Sequence, residues 1–483
     1  MSSVFAVHPQ TVSIKQIVSG RVSFSASDYR TILKPASTKR LSTLVEKCTK
    51  GREIGSKAYM LHSSYRFLKT ANITESFTFD ETGVEFCRPC KGVVKPHDGA
   101  ILIARDGAGQ GLGECCVYNA REGITDYISQ HILSLEFTNE QDRNYIFGVL
   151  KSPHFREYLD GVTPGGSTIR QSGTLIMDYE LPWSQDSAKR QIVADIVASL
   201  LHKERLITAK NVAIDELISE ELRSGSSGAA APASSVSRSE LLATTRLDAG
   251  MYANLVRKTD RSIVNYKGGY YHIPHYFRTK RGQNLQVTSI GKSYYSDAPK
   301  IGFYRLFTTA EMTNERTITG FRWLGNRNQL STLPRECVMF AAKGTVGRSV
   351  FFDELPNTTT NIDQWIITAK DSSQPRYRTV FLSLFLSYLR NIGYLDKIKD
   401  KSNGGGLTKK PIDKWIKIPS FPAKIQEKIA GYYYRAANPL DDDATLADQM
   451  ARDTNMGIFQ LNMEVLALRE YLLDVVKDII LNG

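Results

Sequence analysis

Tyr65-Arg-Phe-Leu-Lys-Thr-Ala-Asn-Ile-Thr74 returns 239 residues later as Tyr304-Arg-Leu-Phe-Thr-Thr-Ala-Glu-Met-Thr313, with Tyr, Arg, Thr, Ala and Thr unchanged. Three further blocks repeat in the same order. Ile101-Leu-Ile-Ala104, entering the glycines from Gly107 to Gly113, matches Val338-Met-Phe-Ala341 entering Gly344 and Gly347 at an offset of 237. Thr163-Pro-Gly-Gly-Ser-Thr168 matches Ser402-Asn-Gly-Gly-Gly-Leu-Thr408, and Leu181-Pro182 matches Ile418-Pro419. Chance gives one such match; four in order at near-constant spacing are an internal duplication. Each copy mixes short β-branched and aromatic runs with glycine turns before entering a helix, so each reads as an α+β module. A second start at Arg246-Leu-Asp-Ala-Gly-Met-Tyr252 echoes Phe24-Ser-Ala-Ser-Asp-Tyr29.

The duplication divides the 483 residues into a module at 1–186, a helix at 187–222, a linker at 223–240, a second module at 241–422 and a helical segment at 423–483. The linker, Arg223-Ser-Gly-Ser-Ser-Gly-Ala-Ala-Ala-Pro-Ala-Ser-Ser-Val-Ser-Arg238, has too little apolar surface to bury a core. The first helix follows Pro182, with Ser184 and Asp186 as capping candidates. Val193, Leu200, Ile207 and Ile214 recur every seventh residue, with Ile196 and Leu217 at the companion positions. In the last segment Ile458, Leu461, Val465, Leu468, Leu472, Val475 and Ile479 alternate by three and four. This is coiled-coil spacing, and two helices ending two copies predict an antiparallel pair. Lys203 and Lys210 fill the remaining seam positions, so their stems are expected along the seam with the ammonium groups in water. Pro439 and Asp441-Asp-Asp443 interrupt the last segment near 437–445.

Lysine and arginine number 62 against 50 acidic residues, a net charge of +12 that suits a polyanionic partner. Six cysteines in so long a chain are no disulfide framework and fit a reducing compartment. The start shows no signal-peptide pattern and no stretch is apolar enough to span a membrane, so the cytoplasm is expected. The motifs of an enzyme are missing. Gly107-Ala-Gly-Gln-Gly-Leu-Gly113 has neither dinucleotide-binding nor phosphate-loop spacing, and Gly344-Thr-Val-Gly347 is a tight strand-to-strand turn. Cys87-Arg-Pro-Cys90 has no counterpart in the second copy, and His272-Ile-Pro-His275 has no acidic or thiol partner nearby, so neither is assigned a metal. Asn438-Pro439-Leu440 breaks the Asn-Pro-Pro-aromatic element of an adenine methyltransferase. No catalytic residue, metal site or cofactor is expected in this chain.

Nucleic acid has a clear place to sit. From Asn254 to Lys300, nine lysines and arginines face two acids, interleaved with tyrosines. Arg278, Lys280, Arg281, Gln283 and Asn284 form the densest donor cluster, and Arg, Gln and Asn can read base edges bidentately. Arg170 and Lys409-Lys410 flank the glycine segments near 165 and 405. Arg105, Lys343 and Arg348 flank the glycine turns, and Arg66 and Arg305 stand in the repeated decapeptide; these are weaker candidates. A solvated charged face is the alternative for any one of them.

The order Phe340-Ala-Ala-Lys-Gly-Thr-Val-Gly347, Asn403-Gly-Gly-Gly-Leu-Thr408 and Trp415-Ile-Lys-Ile-Pro-Ser-Phe-Pro422, with Gln426 and Ile429 after it, resembles the target recognition domains of specificity subunits of Type I restriction–modification systems. The first copy follows the pattern more loosely: Glu180-Leu-Pro-Trp183 lacks the second proline. The resemblance implies two tandem target recognition domains joined by two long helices in an antiparallel coiled coil, each domain reading half of a bipartite target. It implies a non-catalytic subunit that docks two modification subunits and the restriction/translocase subunits, with S-adenosylmethionine, ATP and magnesium on those partners. A Type IIB or restriction-free methyltransferase system would use the same kind of subunit. A self-contained DNA methyltransferase or nuclease and a protein-only scaffold are the readings of a different class.

Overall fold

The computed structural model describes residues 5–7, 11–19, 29–107, 111–163, 170–227, 235–244, 246–399, 405–441 and 443–482. The glycine segment at 164–169, residues 401–404 of its partner block, 108–110 of the first glycine turn, most of the echo at 24–29 and the linker centre at 228–234 lie outside them. The chain divides into two units. The first comprises Met1–Arg205, Leu440–Met450 and Glu464–Gly483; the second comprises Leu206–Pro439 and Ala451–Met463.

In the first unit the strands are β1 (Thr38–Arg40), β2 (Lys47–Lys50), β3 (Tyr59–Met60), β4 (Tyr65–Leu68), β5 (Glu85–Cys87), β6 (Ile101–Ala104), β7 (Cys115–Val117), β8 (Thr125–Ile128) and β9 (Ile132–Glu136). Helices α1 (Glu140–Leu150) and α2 (Pro153–Val162), strand β10 (Glu180–Pro182) and helix α3 (Ser187–Gly225) follow, the last belonging to this unit as far as Arg205. One antiparallel sheet has the order β2-β9-β6-β7. A second has the order β3-β5-β4-β8, in which only β4 and β8 run parallel. Strand β10 returns to pair with β1.

The second unit contains α4 (Asn254–Val264), β11 (Tyr270–His272), β12 (Phe277–Arg281), β13 (Ser293–Ser296), β14 (Tyr304–Leu306), β15 (Arg322–Asn326), β16 (Cys337–Ala341), β17 (Ser349–Phe352), β18 (Thr358–Thr359) and β19 (Gln364–Ala369). Helix α5 (Arg376–Asn391), strand β20 (Lys417–Pro419) and helix α6 (Ala423–Tyr433) complete it. Its sheets have the orders β12-β19-β16-β17 and β13-β15-β14-β18, the second again with one parallel pair, β14 with β18, and β11 pairs with β20. Each of these strands therefore has a counterpart in the same place, and the repeated decapeptides supply β4 and β14; two further short antiparallel pairs of the first unit, Ala6–Val7 with Thr31–Ile32 and Asp106–Gly107 with Arg170–Gln171, have none among the described residues. The core strands β6 and β16 are buried along their whole length, because both faces of each sheet are covered. Helix α5, buried from Thr379 through Leu389, lies on β16 and β17.

Helix α3 begins where Asp186 accepts the Ala188 N–H at 2.8 Å, a side-chain cap on an otherwise unsatisfied donor. It continues through Gly225, so the expected linker contributes its first residues to the helix, and a short helix at Arg238–Thr244 runs from the linker's last residues into the second module. The last segment is broken twice. Helix α6 ends at Tyr433, α7 spans Leu446–Asp453 and α8 spans Ile458–Asn482. The break at 437–445 was legible; the second has Gly457 at its end, where a Cβ would stand 2.4 Å from the Tyr433 carbonyl oxygen. No helix among the described residues is long and apolar enough to cross a membrane.

Within the first unit Lys189 pairs with Asp478 at 2.7 Å and Lys203 with Glu464 at 2.8 Å. Fourteen residues forward on α3 are fourteen residues backward on α8, so the two segments lie side by side and antiparallel. The seam is wider than a strict heptad stripe. Val193, Ile196, Leu200, Ile207, Ile214, Ile458, Leu461, Val465, Leu472 and Ile479 are buried, whereas Leu217, Leu468 and Val475 are half-buried beside buried Ile218, Val476 and Ile480. An α-helix drifts about 20° per heptad against a 3.5-residue repeat, and here the helices also pack on the globular parts, which widens the buried stripe. Lys203 corrects an expectation: its side chain is 1% exposed, and its ammonium is held by Glu464 rather than by water. Lys210 is half-buried, donates to the Thr454 carbonyl at 2.9 Å and lies over the Tyr432 ring.

Candidate nucleic-acid interface

Strand β12 is an edge strand, and successive side chains on it point to opposite faces. Arg278 and Lys280 are exposed on one face, opposite Thr368 and Ile366 of β19. Together with Arg281–Gln283, Ser331–Pro334 and Thr360 they line a groove of about 470 Å³ whose lining holds no carboxylate. On the other face Arg281 lies 4.3 Å from the Trp365 ring centre and donates to the Ile362 carbonyl at 2.7 Å. Burial pulls its guanidinium below the ordinary arginine value, with Asp363 opposing. Lys409 joins this face, donating to Thr279 at 3.0 Å and pairing with Asp413 at 3.2 Å, with its side chain still 63% exposed. Lys410 is exposed and lies over Trp415.

The amides narrow what the groove can read. The Gln283 carbonyl oxygen accepts the Ser331 N–H at 2.9 Å, and the Asn284 carbonyl oxygen accepts the Gln286 N–H at 3.1 Å. Bidentate adenine recognition needs the carbonyl and the NH₂ together. Each carbonyl keeps a second lone pair, and the Asn284 NH₂ also donates to the Gln286 side-chain oxygen at 3.5 Å, so the Gln283 NH₂ is the donor best placed in the groove for a phosphate or a guanine edge.

Other sequence candidates have structural work. Arg66 is withdrawn from the DNA surface: it is buried, donates to both Asp126 carboxylate oxygens at 2.7 and 2.8 Å, and reaches Glu81 at 3.2 Å. Its repeat partner Arg305 lies between the Phe321 and Trp323 rings. Arg348 braces a loop through Asn314 and the Met312 carbonyl. Arg105 pairs with Asp106, and Arg170 pairs with Asp160 at 2.5 Å. Lys343 is exposed beside Gly344, whose φ of +70° makes the expected tight turn. Burial raises the thiols of Cys87 to about 11 and of Cys115 to about 12, so they stay protonated at neutral pH.

Sequence reasoning placed the first unit's candidates at glycine turns, whereas strand register places them on β2. Ile101 pairs with Leu135, which pairs with Cys48; Val338 pairs with Ile367, which pairs with Thr279. Lys47 and Lys50 therefore stand where Arg278 and Arg281 stand in the second unit. The surroundings differ. Lys47 is held by Glu136 at 3.0 Å, and the neighbouring groove of about 340 Å³ is lined by Glu46, Asp98, Glu136 and Glu140 with His97 and Arg143. A phosphate is favoured in the second unit's groove and repelled from this one.

Solved structures similar to this chain come from Type I restriction–modification systems. The S subunit of such a system from M. genitalium aligns with a TM-score of 0.42 and 13% identity, over 91% of this chain and 95% of that one. A chain from a structure of complex assembly and conformational transition of the type I R-M system aligns at 0.29 and 12%, over 93% and 99%. The HsdS subunit from Thermoanaerobacter tengcongensis aligns at 0.28 and 13%, over 92% and 97%. No family model and no curated protein matches the chain.

Proposed function

We propose that this chain is the DNA-reading specificity subunit of a Type I restriction–modification system, a cytoplasmic binding protein that supplies no catalytic group of its own. The observation that supports it most is the carboxylate-free groove beside Arg278, Lys280 and Arg281, set on a strand order that occurs twice in one chain. Each unit reads half of a bipartite sequence. Two modification subunits bring S-adenosylmethionine and methylate adenine after flipping it, and restriction/translocase subunits bring ATP and magnesium. A Type IIB or restriction-free methyltransferase system would place the same subunit among different partners, and neighbouring genes distinguish these.

The test is binding of the full-length chain to a random-sequence duplex pool at 50 and 200 mM salt, with and without purified modification subunit. Each phosphate neutralised contributes a slope of about 0.9 in log K against log salt. The expected outcome is salt-dependent binding weakened by Lys280→Glu and Arg278→Glu, enrichment of a split motif, and no methyl transfer by the chain alone. Binding indifferent to both substitutions would remove the groove from the interface. Methylation by the isolated chain would make it an enzyme.

A further inference from the structure

Both units expose a large aliphatic side chain on the same connection of the same sheet. Leu61, between β3 and β4, is 89% exposed, and Ile301, between β13 and β14, is 105% exposed. These connections are topological equivalents, although their sequences, Leu61-His-Ser-Ser64 and Asp297-Ala-Pro-Lys-Ile-Gly-Phe303, share nothing. In the second unit the turn is built to present the side chain. The Phe303 N–H donates to the Lys300 carbonyl at 3.1 Å, and Gly302 has φ +78°, so Ile301 occupies the first corner of a type II turn. Phe303 anchors the turn by lying on Gly325, where a Cβ would come within 2.5 Å of its ring.

Cations accompany the second tip, where Arg322 also reaches Asp297 of the same connection at 3.8 Å. Lys300 precedes Ile301, and Arg322 lies over the exposed Tyr295 ring of β13. In the first unit Lys57 and exposed Arg88, whose backbone N–H donates to the Ala58 carbonyl, lie at the start of β3, and Leu61 follows its other end. The second tip also connects to the cationic groove. Tyr304, three residues beyond Ile301, accepts the Leu330 N–H with its hydroxyl, and the adjacent Ser331 lines the groove.

We infer that Ile301 and Leu61 are apolar prongs that insert against base steps of duplex DNA, one prong per unit, with the flanking cations on the phosphates. An aliphatic wedge between cations is the combination that unstacks a base step while holding the backbone. This rests on the DNA-reading function above and adds a deformation component to its specificity.

A duplex enriched from the random pool by the full-length chain, scanned with 2-aminopurine at one position at a time, tests it. Wild-type protein is expected to raise emission at one step in each half of the motif. Ile301→Ser should abolish one signal and Leu61→Ser the other, each weakening binding about tenfold, as loss of a buried aliphatic contact does. Both side chains are exposed, so the fold stays intact. Wild-type emission and affinity in both variants, with Lys280→Glu still weakening binding, would overturn the prongs and leave the DNA-reading function standing. Intact DNA binding with lost capture of modification subunit would assign these residues to a protein interface instead. Absence of salt-dependent binding by the wild-type chain would overturn both.

Discussion

Arg66 and Arg305 occupy the same position of one repeated decapeptide and do different work, because their neighbours across the parallel strand differ. Arg66 faces Asp126; Arg305 faces Thr358 and lies by aromatic rings instead. The decapeptides identified the repeat but not these partners, which arrive from 50 or 60 residues along the chain. Arg66→Ala strands Asp126, which is fully buried, with the Tyr118 hydroxyl as its remaining side-chain donor among the described residues. Breaking a buried pair this way costs about 3–5 kcal/mol, measurable as a lower urea midpoint, with the salt slope of DNA binding unchanged. His154 gives a pH-dependent case. Its ring bridges the Tyr179 hydroxyl at 2.7 Å and the Leu33 carbonyl at 2.9 Å, a pattern that suits the neutral tautomer. Burial lowers its pKa below 6.5, with the Leu33 carbonyl and Glu157 opposing. The unfolded chain therefore takes up a proton before the folded one does. The stability linked to this site is complete above about pH 6.5 and declines as pH falls toward the depressed folded value. Urea midpoints taken from pH 7.5 downward should fall more steeply for wild type than for His154→Gln; identical slopes would dissociate His154 from acid sensitivity.

At the scale of elements, the helices were legible because apolar spacing is a local signal. The Val193-to-Ile214 and Ile458-to-Ile479 ladders read directly from the chain, and their antiparallel course is fixed by Lys189–Asp478 and Lys203–Glu464. What spacing could not reveal is what else packs against the pair. Gly148, inside α1, lies where a Cβ would stand 2.8 Å from Val193, 3.1 Å from Val197 and 3.4 Å from Leu472. This glycine lets α1 approach both helices at once, and it explains why Val197 is buried although it falls outside the heptad. Gly148→Leu should overpack the junction and cost about 1–3 kcal/mol, read as a lower melting temperature. Gly148→Ala should cost less, because better helix propensity offsets part of the contact. A leucine variant as stable as wild type would show that the three helices can separate without penalty.

At the scale of the molecule, duplication was the most legible feature, since four blocks in register are visible without any structure. The matching strand orders show that it was read correctly. Charge placement was legible only in part. Of the donor cluster, Arg278, Lys280, Arg281 and Gln283 line one groove and Asn284 lies outside it, and the groove is completed by Ser331–Pro334 and Thr360, uncharged residues that no charge count picks out. The counterpart strand β2 was missed because its two lysines are too few to stand out in sequence and are recognisable only by register. The two copies have kept one fold while the cations on their equivalent edge strands have acquired different partners, and this asymmetry predicts an unequal division of phosphate contacts. Replacing Arg278 and Lys280 with alanine removes two cations from a groove that holds no carboxylate, and should lower the slope of log K against log salt by about 2. Lys47→Ala removes a cation already matched by Glu136 at 3.0 Å, and should change that slope by well under 1. Fluorescence anisotropy on the enriched duplex between 50 and 200 mM salt measures both. A Lys47 effect as large as that of the Arg278/Lys280 pair would mean that Glu136 releases its lysine on DNA, and that the two grooves meet the backbone alike despite their different linings.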